Sequence, residues 1–287
     1  LGVLNPLASS ALLTGGITSI TAATLIGGFS WLSWFALMAV PYHALLCGGA
    51  VVVRLLAGRF ECTDSAPPPA LERKPLAPAE KGTLAVLAIT SGLWLTDSIH
   101  HLSPAIPALL GAALLLHPAV GVLTWKAFEQ RLSWGLILTV GASLSLAALM
   151  TRTGAAAWLG QFLLHGLTDL ADTPRILIIG LILAVVVAHL AITNLAACVA
   201  LLWPISATIA AGAGLNPIVI GLILTIAVDA VILYPVQTAA NLMAYESGAF
   251  DRADVLKLGL GMLALTVVVV QLVLPYWALL GQPLTAP

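Results

Sequence analysis

The sequence predicts an all-α integral membrane protein, and three observations carry that prediction. Of its 287 residues, 60% are hydrophobic and only 8% charged, with a mean hydropathy of +1.07, against roughly 25% charged residues in an ordinary soluble domain. Several continuous apolar runs between Leu32 and Leu280 reach the roughly 17–25 residues that carry a helix across a bilayer. These runs are rich in Leu, Ala, Ile and Gly and lack the alternating segments of about ten residues that a transmembrane β-barrel requires.

The segments follow in order. Residues 1–30 contain "LNPLASSALLTGGITSITAATLIGG" at 4–28, apolar but dotted with Ser, Thr and four glycines, a composition that interrupts a helix. Residues 31–57 form a cleaner transmembrane helix. Residues 58–82, "GRFECTDSAPPPALERKPLAPAEKG", are proline-rich and charged and read as a linker. Because Lys and Arg concentrate there and in "KAFEQR" at 126–131, the positive-inside rule places both on the cytoplasmic side of a multi-pass protein of the cytoplasmic membrane. Residues 83–150 hold a hairpin of apolar runs, Leu84 to Leu95 and Ser103 to Leu123, followed by Trp134 to Met150. His100 and His101 fall between the first two; adjacent histidines on a helix chelate poorly, since i and i+4 share a face, so they read as solvated interface residues. Residues 151–254 contain an amphipathic stretch (155–172), an apolar helix from Pro174 to Leu190, a second at 195–210 and a run from Asn216 to Tyr234. Residues 255–287 form a last helix and an uncharged tail. Trp31, Trp34, Trp203 and Trp277 read as interface or packing aromatics.

Other function classes fall away. Eleven basic against twelve acidic residues leave a net charge of -1, with no basic block to meet the phosphates of a nucleic acid. Cys47, Cys62 and Cys198 lack disulfide or metal-ligand spacing. The spans contain no GxSxG, HExxH or paired aspartates, so the chain is read as no enzyme and as having no organic cofactor. It opens at Leu1 without the charged start of a signal peptide and reads as the later part of something longer.

The chain echoes itself. Leu-Asn-Pro opens both 4–28 and 215–241, each continues apolar for about twenty residues before turning polar, and each is followed by a long helix, 31–56 or 255–280. With the linker cytoplasmic, the second unit is inverted relative to the first. Inverted repeats with discontinuous helices mark secondary transporters, and the breaks mark the binding site. At 1.5 Å per residue, the about 13 residues from Asn216 to Asp229 give roughly 20 Å of helix, reaching well into a hydrocarbon core about 30 Å thick. Pro235 then lacks a backbone donor, and Gln237, Thr238 and Asn241 follow. Carbonyls freed in lipid cost several kcal/mol each unless protein, water or an ion takes them.

Thr193 and Asn194 lie between two apolar helices, at the tip of a re-entrant helical hairpin. The second helix begins near Leu195 with its amide groups and positive dipole end at the tip, which favours an anion. Asp229 is an acid deep in an apolar run; such carboxylates are paired, neutral or part of an ion path. Either it is structural, or with His189 it makes the protein proton-coupled or alters its cation stoichiometry.

On these residues the sequence resembles the divalent anion/sodium symporter family of the wider ion transporter superfamily. "ITNLAACVALLWPI" is similar to the family's later Ser-Asn-Thr hairpin tip and the stretch that follows it, with Thr193 for the serine and Asn194 for the asparagine. Leu195 stands where the second hydroxyl residue would be. "YPVQTAANLMAYESGAFDRADVLKLG" is similar to the Pro-Val-Ala-Thr-Pro-Pro-Asn segment, keeping Pro235, Thr238, Asn241, Gly248 and Asp254, with Ala239 and Ala240 for the two prolines. "SITAATLIGG" looks like the Gly-Thr-Leu-Ile-Gly turn through Thr24, Leu25, Ile26 and Gly27.

The resemblance covers about residues 4 to 281 and implies a cation-coupled, elevator-type carrier of di- or tricarboxylates or sulfate, working as a homodimer in the lipid bilayer. It implies a first hairpin lying before Leu1, so that the first repeat is truncated here, or else a degenerate remnant without transport activity. It implies substrate contacts at Thr193, Asn194, Thr238 and Asn241. Sodium, more than a proton, is the implied coupling ion, with Thr24, Gly27, Thr193, Asn194, Gln237 and Thr238 as oxygen ligands suited to a hard cation and Asp229 as a coupling residue. By the same resemblance 31–57 and 83–150 are mostly scaffold, and 4–28 and 155–254 mostly transport domain.

Overall fold

The computed structural model describes residues 4–56, 75–118, 122–132, 134–155, 158, 173–192, 194–234, 237, 245 and 251–285. Their regular elements are helices, apart from one isolated bridge between Leu215 and Thr285. Two compact units are formed, one from residues 1–29, 33–58 and 136–287, the other from 30–32 and 59–135.

The smaller unit contains α4 (Pro78–Leu95), α5 (Asp97–His100), α6 (Ala105–Leu116) and α7 (Trp125–Arg131). The linker expected over 58–82 ends earlier than its composition suggests, because α4 begins at Pro78: the Glu80 carboxylate accepts from the Ala77 amide at 2.7 Å, a first-turn acid meeting the amides of a helix start. The rest of the linker, 58–74, lies outside the described residues. At Gly111 a Cβ would stand 2.6 Å from the Thr90 hydroxyl, so glycine sets the close approach of α6 to α4. The second run, expected to reach Leu123, stops at Leu116 because Pro118 forces His117 into extended backbone (ψ 132°). His100 is not simply solvated: its Nε2 lies 2.8 Å from the Leu93 carbonyl and its Nδ1 accepts from the Leu102 amide at 3.0 Å. His101 closes the turn in left-handed backbone, φ 54°.

The larger unit holds α1 (Asn5–Ser10), α2 (Ile17–Ile26), α3 (Trp31–Leu56, from Ser33 on), α8 (Trp134–Arg152, from Leu136 on), α9 (Pro174–Ala191), α10 (Leu195–Gly212), α11 (Pro217–Ala230) and α12 (Arg252–Leu279). Among the described helices, α3, α10 and α12 are long and apolar enough to cross a membrane. Leu32, Val40, Val51 and Leu55 on α3, with Val268, Leu272 and Leu279 on α12, are exposed, as lipid-facing side chains are. The interrupted segment at 4–28 is two helices, broken at 11–16.

α11 is the centre of this unit. It is apolar almost all round, and every residue from Val219 to Ala230 is buried, which is the fate of a helix with no polar face. It packs against α1, α2, α9, α10 and α12. Gly221 admits two of these neighbours, since a Cβ there would meet Ile26 at 2.5 Å and Trp203 at 2.7 Å.

α3 and α12 lie side by side and run antiparallel. Along α3, Leu37, Gly48, Gly49 and Val52 meet Trp277, Leu265, Met262 and Gly261 in turn. Pro41 lies inside α3 and has no N–H for the Leu37 carbonyl four residues back. The Trp277 indole N–H donates to that carbonyl at 2.7 Å, and the Tyr276 hydroxyl donates to the adjacent Ala36 carbonyl. Trp34 and Trp277 are fully buried, so they are packing aromatics rather than interface ones.

Candidate functional site

Two polar spots interrupt the apolar interior, and both adjoin the C-terminal end of α11. The first joins the α9–α10 link to the segment after Ala230. α9 ends at Ala191 and α10 starts at Leu195, with three residues between them. Asn194 is the N-cap of α10: its Oδ1 accepts from the Ala197 amide at 2.9 Å. The leading amides, those of Leu195 and Ala196, point out of that helix end by geometry. Replacing Asn194 by alanine is expected to lower stability by about 1 kcal/mol through the lost cap, and Asn194→Ser to restore most of it; thermal unfolding of the detergent-purified protein reads both.

α11 ends at Ala230, four residues short of the run's expected end at Tyr234. Pro235 supplies no donor for the Val231 carbonyl and biases Tyr234 away from helical backbone. The amides released there are gathered by one side chain. Gln237 Oε1 accepts from Leu233 N at 2.5 Å and from Tyr234 N at 3.1 Å, while its Nε2 donates to the His189 carbonyl at 3.4 Å. The Tyr234 hydroxyl donates to the Leu190 carbonyl at 3.0 Å. The last turn of α9 and the segment after α11 are thus sewn together. His189 is 0% exposed, its ring faces the Val231 backbone, and neither ring nitrogen closes a hydrogen bond among the described residues.

The second spot surrounds Asp229, which is 0% exposed. The Tyr42 hydroxyl of α3 donates to Asp229 Oδ2 at 2.7 Å. The Ser10 and Thr18 side chains, on either side of the α1–α2 break, stand close to the same carboxyl, but Oδ1 has no hydrogen-bond partner of normal geometry. The end of α1 is itself re-satisfied locally: the Ser10 carbonyl accepts from Ser19 Oγ at 3.1 Å and from Trp34 Nε1 at 3.3 Å.

The structure brings Asn194 and Gln237 to one place through His189 and Leu190. It does not add Asp229 to them: the groups around that carboxyl are Tyr42, Ser10 and Thr18, and His189 is not among them. Thr24 donates back to Ile20 O at 2.7 Å within α2, and Gly27 caps that helix with φ 80°. Asp254 pairs with Asp251 in the opening turn of α12, Asp254 N to Asp251 Oδ1 at 2.9 Å, which is a capping role. Thr193, Pro235, Thr238, Asn241 and Gly248 lie outside the described residues. Among the described residues no group of three or more His, Cys, Asp or Glu stands together for a metal ion.

Sequence reasoning missed Tyr42, Ser10 and Thr18. Their signal was faint: polar residues flank Gly15–Gly16, and Tyr42 directly follows a proline inside an apolar helix. A stronger signal also went unread. Thr21-Ala22-Ala23-Thr24-Leu25 matches Thr238-Ala239-Ala240-Asn241-Leu242, so the repeat extends into the polar part of each unit, and Thr21 is buried.

Comparison with known proteins adds lineage to this geometry. The family described as "Sodium:sulfate symporter transmembrane region" matches residues 3–282. A "Membrane protein" of Cupriavidus necator is 26% identical over 242 residues, covering 80% of this chain and 47% of that protein. An "Uncharacterized transporter" of Haemophilus influenzae is 30% identical over 167 residues, 58% of this chain and 35% of its own length. Human solute carrier family 13 member 2 is 26% identical over 164 residues, 57% of this chain and 27% of its own. The chain spans less than half the length of these relatives.

Proposed function

This chain belongs to the sodium:sulfate symporter family, and on that premise we propose that it forms part of a secondary active carrier of small anions, di- or tricarboxylates or sulfate, with sodium as its driving ion. The observation that carries this reading is the joining of the last turn of α9, which leads into the Asn194-capped start of α10, to the break after α11. A helix N-terminus beside a broken helix offers amide donors to an anion, and the hydroxyls and amides around it supply neutral oxygen without the cost of a buried charge.

Substrate contacts fall to Thr193, Asn194, Thr238 and Asn241. Sodium fits the oxygen-only donor set of Thr24, Gly27, Thr193, Asn194 and Thr238. Gln237 serves differently, because its carbonyl oxygen already holds two backbone amides; it shapes the site. Two further features support an inverted repeat: the paired Leu-Asn-Pro and Thr-Ala-Ala echoes and the antiparallel course of α3 and α12, the long helices that close each unit. By the same resemblance the carrier works as an elevator, with 31–57 and 83–150 mostly scaffold and 4–28 and 155–254 mostly transport domain. The carrier works as a homodimer in the cytoplasmic membrane.

The test is uptake of radiolabelled succinate, citrate and sulfate into proteoliposomes containing the full-length protein, with sodium and pH gradients imposed separately. Sodium-driven accumulation of at least one of the three is the expected outcome. Absence of uptake of all three under both gradients overturns the proposal.

A further inference from the structure

We propose that Asp229, held by Tyr42 and facing the hydroxyls of Ser10 and Thr18, takes up and releases one proton per transport cycle, as a coupling site separate from the hairpin tip. The inference rests on the transport reading for its cycle, though not for the protonation itself.

Three observations carry it. The carboxyl is completely buried in an apolar unit, at the end of a helix surrounded on all sides. One oxygen is engaged by Tyr42, and the other faces the Ser10 and Thr18 hydroxyls with no hydrogen bond of normal geometry among the described residues. No cation faces it. Of the helices packed against α11, α1 and α2 carry no titratable side chain and contribute Ser10 and Thr18. α9 carries Arg175 in its exposed opening turn and His189, which faces Val231. α10 carries only the Cys198 thiol. α12 carries Arg252, Asp254 and Lys257 at its exposed start, and Tyr276, which is bound to Ala36. From α3, Tyr42 is the titratable group that reaches the carboxyl.

An ionised carboxylate in such a place is strongly disfavoured when no counter-charge accompanies it. A proton on Oδ1 removes the charge and turns that open acceptor into a donor for the neighbouring hydroxyl oxygens, while Oδ2 keeps the Tyr42 bond. The proton comes from water and returns to water; no other group changes its bonding. Tyr42 is then a positioning residue. It fixes which oxygen is free.

Two measurements on the full-length protein test this independently. In infrared spectra of the purified protein titrated from mildly acid to mildly alkaline pH, a carbonyl-stretch band of a protonated carboxylic acid should be present at acid pH, fade as pH rises, be lost in Asp229→Asn and shift in Tyr42→Phe. In proteoliposomes at fixed sodium gradient, Asp229→Asn should abolish the pH dependence of uptake, and Tyr42→Phe should displace it along the pH axis. A spectrum with no Asp229-dependent band at any pH overturns the proposal even if no anion is carried. So does a wild-type pH profile in Asp229→Asn whose folding matches wild type by size-exclusion profile. If neither variant folds, the wild-type band alone decides, since its absence removes the protonated carboxyl.

Discussion

Gly259→Ala is expected to be among the most damaging single methyls that can be added to the helices of this protein. A Cβ at that position would stand 2.2 Å from the Ile232 carbonyl oxygen, 3.0 Å from its carbon and 2.8 Å from Leu233 Cδ2. Two of these three are backbone atoms and cannot swing aside, so either α12 or the segment after α11 must shift. That segment presents the amides held by Gln237, and the shift therefore reaches the end of α9. Overpacking in a close-packed core costs about 1–3 kcal/mol where side chains can yield; here the cost should lie at or above that range. Thermal unfolding in detergent and anion uptake should both report it, with uptake lost. Gly180→Ala in α9 is the control: nothing lies within 4 Å of its added methyl, and the helix should gain up to about 1 kcal/mol from the better helix former.

Gln237→Leu is expected to have the second largest effect. It preserves bulk but removes the acceptor of two backbone amides and the donor to the His189 carbonyl. Each buried group left without a partner costs about 1–3 kcal/mol, and no water of the bilayer core replaces it. Two stranded amides should melt the junction between α9 and α11 before the rest of the unit. Tyr234→Phe, which loses the hydroxyl bond to the Leu190 carbonyl, should cost about 1 kcal/mol, the worth of an ordinary hydrogen bond. Hydrogen exchange at the start of α10 and the end of α9 distinguishes the two: marked loss of protection for Gln237→Leu, little for Tyr234→Phe. Equal protection in both variants would remove Gln237 from its clamping role.

The long helices were legible because their signal is local. Trp31–Leu56 coincides with the expected span, since an apolar run bounded by a glycine pair and arginines has no other reading. Prolines were legible as breaks but not as break positions. α6 ends two residues ahead of Pro118, and α11 ends five residues ahead of Pro235. The chemistry was less legible, for two reasons. The partner of Asp229 lies 187 residues away, beyond any spacing rule, and so an odd acid could be noticed but not paired. Gln237 was read as a ligand because an amide after a broken helix suits an ion, whereas the chain spends that amide on its own backbone. Conversely, the Thr-Ala-Ala echo is entirely local and was passed over once Thr24 to Gly27 had been matched to a different family turn.

The bond between Trp277 and the carbonyl that Pro41 leaves open works as a key in a keyway. In a hydrocarbon medium the key acts less by its attraction than by the penalty for withdrawing it, because sliding α12 along α3 by even one residue would strand the Leu37 carbonyl where nothing else can take it. The glycines at 48, 49 and 261, each facing a large side chain of the other helix, add teeth at the same setting. Shear between these two helices is thereby opposed, so a displacement of either one tends to carry the other with it.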